Sequence, residues 1–252
     1  PVEIIEQVKQ GMDPKIPTTL AFVQTFPNGD RDFSFYRKPG ADMMLTESEL
    51  PEETIANARI FHFGTLSMTH EGVRAATVKA VGLAKEGGAL ISFDPNLRPP
   101  LWENLEEAKR QIAWGLSQCD ILKIADNELE FMTGETDFGK GAAILHKTYP
   151  NIKVLNVTAG ADGSYSFYGE EEPVFVPSFQ LGGTIETTGA GDTFCASVLN
   201  YILENGIVCL TPEDRKTMLR FANGAAYIVT TRKGAIRSMP ERSEVEALLA
   251  AN

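Results

Sequence analysis

"RIFHFGTLSMTHEGVRAATVKAVGLAKEGGALISFDPN", Arg59 to Asn96, sets two short apolar runs on either side of a longer segment with a different period. The outer runs, "RIFHFGTL" and "ALISFDPN", have the length and composition of strands. Between them, "EGVRAATVKAVGLAKEGG" repeats apolar residues three and four apart, the spacing of one helix face, and closes on Gly87 and Gly88, which suit a helix terminus. The pattern continues with a helical "LEEAKRQIAWGLSQC" and a strand-like "DILKIA". Strands alternating with helices predict βαβ units and a parallel sheet, hence an α/β fold. In such sheets ligands gather where the carboxyl ends of strands lead into helices. Four segments there are polar: "DPNLRPPLW", "DNELEFMTG", "TAGADGSY", and "TTGAGD" after a strand-like "TIE".

Ahead of this pattern the chain opens with a helical segment, Val2 to Gln10. Two strand-like segments follow, "TTLAFVQTF" and "DFSFYRK", around Asn28-Gly29, a strong hairpin signal. Their alternation of apolar and polar residues predicts a small two-stranded cover with one apolar face.

Composition removes several function classes. The 252 residues carry 34 acidic and 23 basic side chains, a net charge of −11, so the field around the molecule repels polyanions. Nucleic acid is excluded as a partner on that ground. No run is apolar enough to span a membrane, and the start lacks the pattern of a secretory signal. Cys119, Cys195 and Cys209 are too few and scattered for a disulfide framework and suit small core residues in a reducing cytoplasm. His62, His70 and His146 share no metal-ligand spacing. One domain over residues 1–252 is the expectation, with residues 17–40 as a β lid within it.

The chemistry concentrates in "IETTGAGDTFCASVLNYI", Ile185 to Ile202. Gly189, Ala190 and Gly191 let the backbone turn tightly with several N–H groups pointing one way, and a helix starting there adds the positive end of its dipole. That arrangement receives an anion such as a phosphate. Asp192 beside it repels the ligand, so it needs its own reason, and accepting the proton of a hydroxyl that attacks a phosphoryl group is one. An ordinary helix cap by Asp192 or Thr188 accounts for the same residues.

"ETTGAGDTF" resembles the D-T-x-G-A-G-D signature of the ribokinase-like, or PfkB, sugar kinases, with Glu186 in place of the first aspartate. The resemblance runs over nearly the whole chain. "FYRKPGADMMLTESEL", "FHFGTLSM", "DPNLRPPLW" and "DNELEF" are similar to the fructokinase branch, with the 2-keto-3-deoxygluconate kinases as nearest competitors. It implies a three-layer α/β/α fold with a mostly parallel sheet and a β-hairpin lid. It further implies Asp192 as catalytic base and Gly189, Ala190 and Gly191 as the anion hole, with Tyr36, Arg37 and Arg98 reaching the sugar. Asn96, Arg98, Asn127, Thr158, Gly160, Gly163 and Asn223 are implied to bind ATP. Asp94 and Asn96 equally suit a turn before Pro95 and Pro99, "DNELEF" a helix start with favourable acids, and "TAGADGSY" a hairpin turn.

By the same resemblance Glu130 holds Mg2+ through water, and Glu186, Thr188, Val229, Arg232, Gly234 and Ser238 form a K+ site. Family members carry a further stretch ahead of the point where this chain begins, so the lid and sheet are expected to be incomplete. The implied activity is ATP-dependent phosphorylation of a sugar primary hydroxyl, D-fructose to fructose 6-phosphate. The alternatives are 2-keto-3-deoxygluconate phosphorylation and a non-catalytic nucleotide-binding fragment. A homodimer through the lid is the expected assembly, since "TTLAFVQTF" offers a strand edge.

Overall fold

The computed structural model describes residues 16–25 and 31–252. β1 (Leu20–Thr25) and β2 (Arg31–Tyr36) pair antiparallel, from Leu20 opposite Tyr36 to Thr25 opposite Arg31, as the hairpin pattern predicts. The expected turn at Asn28-Gly29 and the helix over residues 2–10 lie outside the described residues. The larger sheet comprises β3 (Ile60–Gly64), β4 (Leu90–Asp94), β5 (Ile121–Ala125), β6 (Val154–Thr158), β7 (Gly163–Tyr168) and β8 (Val174–Pro177), side by side in chain order. β3 to β6 run parallel, β7 pairs antiparallel with β6, and β8 antiparallel with β7.

This order dictates where the helices go. Each parallel strand is the direct neighbour of the last, so every right-handed crossover places its helix on the same face. After a short α1 (Glu52–Ala56), that face receives α2 (Glu71–Glu86), α3 (Leu105–Gln118), α4 (Asp126–Thr133) and α5 (Phe138–Thr148). Phe93, Leu122, Ile124 and Leu155 point into it and meet Val81, Ile112, Leu116 and Leu145. The intervening residues Ile121 and Val154 point the other way, onto Phe194, Val198, Met218 and Leu219 of α6 (Ala190–Asn205) and α7 (Pro212–Thr230). A sheet covered on both faces explains why "ILKIA" and "VLNV" are apolar at nearly every position. α8 (Arg242–Ala251) packs on α7 through Val245. α3 lies so close to the sheet that a Cβ on Gly115 would stand 2.4 Å from the Phe93 ring.

Two details depart from the pattern reading or go beyond it. "TIE" is not a strand: the amides of Ile185 and Glu186 both donate to Thr230 O, at 2.7 and 3.2 Å, which ties the approach to α6 onto the end of α7. The link from β7 to β8 is anchored by Arg215 of α7, whose side chain is wholly buried. It donates to Ser166 O and Glu172 O, each at 3.2 Å, and pairs with Glu171 at 2.7 Å.

Half-buried His146 on α5 gives the fold an acid sensitivity. Its Nε2 has no hydrogen-bond partner among the described residues, and burial holds its imidazole below the ordinary value of 6.5. The unfolded chain therefore binds this proton more readily than the folded one, and stability drops as pH falls below 6.5. His146→Leu should flatten that part of a urea-midpoint profile between roughly pH 7.5 and pH 5.5, about one unit either side of the imidazole's ordinary value. An unchanged slope would remove His146 as its source.

Candidate functional site

Three of the four polar loops converge at the carboxyl edge of the sheet: those after β4 and β5, and the turn before α6. They enclose a cleft of about 280 Å³, walled by Asp94, Asn96, Leu97 and Arg98, by Lys123, Ala125, Asn127 and Glu128, and by Thr188, Gly189, Gly191 and Asp192. A second cleft of about 270 Å³ adjoins it, with His62, Gly64, Leu66 and Ser67 along its far side. Asp94, Asn96 and Asp192 line both, so Asp192 stands where contents of the two clefts would meet.

The head of α6 is built as the turn chemistry requires. Gly189 caps it at φ 83°, in the left-handed region where any side chain is strained, and Val229 and Ala235 stand close behind it. Ala190 N closes on Thr187 O at 3.2 Å, and Thr193 N on Gly189 O at 2.9 Å. Between them the amides of Gly191 and Asp192 have no hydrogen-bond acceptor among the described residues. They are two of the orphan donors that every helix presents at its start, here opening on a cleft.

Beneath the cleft lies a buried charge cluster. The Lys123 ammonium is 3.2 Å from Asp94 Oδ1 and 3.1 Å from Oδ2, with both side chains almost fully enclosed. Glu128, also buried, accepts from Leu97 N at 2.7 Å and Ala125 N at 2.8 Å, so one carboxylate fixes the loop after β4 and the start of α4. Burial pushes the carboxyls of Asp94 and Glu128 up, and the Lys123 charge opposes that rise in both. Around Lys123, burial works against the ammonium, but Asp94 and Glu128 outweigh it and hold the group above its ordinary value. Asn96 takes a left-handed φ of 45°, its amide 3.2 Å from Asp94 Oδ1, a conformation that asparagine tolerates better than most residues. Burial also pushes the Cys195 thiol up to about 12, so it is a neutral packing group.

Of the residues singled out in the sequence, Asn96, Arg98, Asn127, Thr188, Gly189, Gly191 and Asp192 line the clefts. Ala190 does not, and its amide is committed to Thr187. Glu130 is exposed one face away, whereas Glu128 points into the cleft. Tyr36 is exposed on the lid, and Arg37 is buried against Asp42 and Thr69; neither lines a cleft. Thr158, Gly160 and Gly163 occupy the end of β6 and the tight turn into β7, on the same sheet edge but outside the cleft walls. Gly163 is required there, since a Cβ would meet Val176 O at 2.3 Å. Asn223 is buried and fully bonded to Ser164 Oγ, Val176 O and Pro177 O, joining α7 to the sheet edge.

Among the residues read as a K+ site, contacts join Glu186 to Gly234, Gly234 to Ser238, and Val229 to Arg232. Gly234 N donates to Glu186 Oε1 at 3.0 Å, and Ser238 Oγ donates to Gly234 O and Ala235 O, both at 2.6 Å. Arg232 N closes on Val229 O at 3.1 Å, while the Arg232 side chain turns away to pair with Glu244. Sequence reasoning missed Lys123, Glu128 and the row His62, Gly64, Leu66 and Ser67 along the second cleft. Two signals were present: a lone charge in an otherwise apolar buried strand, and a glutamate three residues into a helix, where it caps.

Fold and cleft together define a three-layer α/β protein whose open helix-head amides and a neighbouring carboxylate face one cleft. The chain belongs to the pfkB family of carbohydrate kinases, whose family model matches residues 5–242. It is 43% identical over 232 residues to fructokinase-2 of Solanum habrochaites, covering 92% of this chain and 70% of that one. With fructokinase-1 of Zea mays it shares 41% over 232 residues, covering 92% and 71%. The fructokinase of Xylella fastidiosa, solved with bound ATP, superposes with a TM-score of 0.84 at 30% identity, over 95% of this chain and 75% of that one. The Vibrio cholerae O395 fructokinase, solved with fructose, ADP and calcium ion, gives a TM-score of 0.82 at 27% identity, over 94% and 74%.

Proposed function

We propose that this chain transfers the terminal phosphoryl group of ATP to a primary hydroxyl of D-fructose, giving fructose 6-phosphate. The observation that carries the reading is Asp192, which lines both clefts directly beside the two open amides of α6. Nucleotide phosphates fit the cleft that holds Arg98, Asn127 and the helix head, and the sugar fits the adjoining one. The Asp192 carboxylate takes the hydroxyl proton as the oxygen attacks, and the amides of Gly191 and Asp192 with the nearby Lys123 ammonium meet the charge on the transferring group. Relatives solved with ATP, or with fructose and ADP, support these two as the substrates.

Magnesium bound with ATP neutralises its phosphate oxygens. Among the described residues no three His, Cys, Asp or Glu side chains cluster as ligands, and both Glu128 oxygens are bonded to amides. That donor set suits an ion that keeps its own waters, held through them by Glu128 and Asn127. Potassium fits the loop pair of Glu186 and Thr188 with the carbonyls of Val229, Arg232, Gly234 and Ser238. A carboxylate-bearing substrate such as 2-keto-3-deoxygluconate needs a free cation on the sugar side, and Arg37 is paired with Asp42. Fructose is therefore favoured.

Leu20, Phe22 and Tyr36 are all more than half exposed on the lid, which suits a lid-to-lid dimer. Equilibrium sedimentation showing only monomer would remove that part. No described helix is long and apolar enough to cross a membrane, and Cys119, Cys195 and Cys209 are free thiols. A coupled ADP-release assay on fructose, ketodeoxygluconate and ribose should show turnover highest on fructose, dependent on Mg2+ and raised by K+. Nucleotide binding without turnover on any sugar would contradict the assignment.

A further inference from the structure

We propose that Arg37 is a positioning residue that clamps the base of the lid to the loop lining the sugar-side cleft, so that lid and sugar pocket move as one unit. The inference rests on the reading of that cleft as the sugar site.

The guanidinium is enclosed and every nitrogen is engaged. Nε donates to Asp42 Oδ2 at 2.7 Å, Nη1 to Thr69 Oγ1 at 2.8 Å, and Nη2 to Leu66 O at 3.1 Å while lying 2.6 Å from Asp42 Oδ2. Asp42 reaches across to the other leg of the lid, where Thr19 Oγ1 donates to Oδ1. Ala41 N adds a bond to Pro17 O at 3.0 Å. One carboxylate thus joins the chain entering β1 to the chain leaving β2. Burial would push that carboxyl up, but the bonds from Arg37 and Thr19 hold it below its ordinary value. The legs are so close that a Cβ on Gly40 would stand 1.9 Å from Thr19 Oγ1.

The other end of the clamp is the turn Thr65–Met68. Leu66 O receives both Arg37 and Thr69 Oγ1, the latter at 2.9 Å, and Leu66 with Ser67 lines the sugar-side cleft. Thr65 N and Oγ1 both bond to Pro95 O, at 3.2 and 2.5 Å, next to Asn96 on the cleft's opposite wall. A continuous set of hydrogen bonds therefore runs from the lid through Arg37 to both walls of the sugar pocket. The guanidinium is committed to Asp42, Thr69 and Leu66 and lines neither cleft, which separates this role from direct sugar contact.

Three variants test the clamp: Arg37→Gln, Asp42→Asn, and both together. Each single change should raise KM for fructose about tenfold, equivalent to 1.4 kcal/mol, with KM for ATP unchanged, and the double variant should be no worse than either. Amide hydrogen exchange at residues 65–69 should rise equally in all three, with α6 unaffected. A wild-type KM in Asp42→Asn beside a damaged Arg37→Gln would overturn the clamp in favour of direct sugar contact. So would additive losses, or unchanged exchange at 65–69. If the wild-type chain turns over no sugar, the functional reading fails, and the exchange comparison alone decides the clamp.

Discussion

Asp192→Asn should lower kcat on fructose by about a thousandfold, within the range seen when a positioned proton acceptor is removed. The amide side chain matches the carboxylate in size, so fold and both clefts should survive. KM for ATP should stay within about threefold, because the phosphates are held by Gly191 and Asp192 amides that the substitution leaves in place. The loss should appear in kcat and kcat/KM together, the mark of an interaction made in the transition state. Asp192 is exposed, whereas Asp94, the other carboxylate that lines both clefts, is buried and paired with Lys123. Retained turnover in Asp192→Asn would move the base elsewhere.

Lys123→Met should have the largest effect on stability. Removing one partner of a buried charge cluster leaves the others uncompensated, a loss of about 3–5 kcal/mol in comparable pairs. Here it would leave Asp94 and Glu128 facing each other without a cation, with the Asp192 charge also nearby. Methionine keeps most of the volume, so the loss reads charge rather than packing. Urea denaturation should show a lower midpoint at constant slope, and KM for ATP should rise, since Gly191 stands close to the lysine ammonium. Lys123→Arg should recover part of both. A midpoint unchanged by Lys123→Met would show that the cluster contributes nothing net to folding.

Local periodicity was enough for the layers. The change from short apolar runs to three-and-four-residue spacing around Arg59 to Asn96 places β3, α2 and β4 correctly, because strands buried on both faces and helices buried on one leave that signature in any window. The G-A-G-D turn was equally readable, since only glycine accepts φ 83° at the head of α6. "TIE" misled because its backbone partner is Thr230, some 45 residues away, and no local pattern reports a bond to the end of another helix.

The polar residues divide by the same rule. Asn96 and Arg98 follow β4 directly and reach the cleft by position alone, and Asp192 reaches it from the first turn of α6. Arg37 was read as a substrate contact from the family resemblance, which reports no local pairing; in the structure Asp42, five residues on, and the turn at Leu66 engage it. Glu130 and Glu128 differ by two positions on one helix, about 200° of rotation, so a spacing match chose the solvent face while burial chose the cleft. Lys123 was passed over as part of a strand, although a charge among "IL" and "IA" has to find a partner when the strand is buried.

The most direct measurement is a crystal structure of the Asp192→Asn chain with fructose, ATP and Mg2+. The proposed mechanism requires the terminal phosphate within hydrogen-bond distance of the residue 191 and 192 amides, and a primary hydroxyl of the sugar between that phosphate and the residue 192 side chain. A nucleotide whose phosphates lie away from the head of α6, or a sugar whose hydroxyls do not approach residue 192, would contradict it.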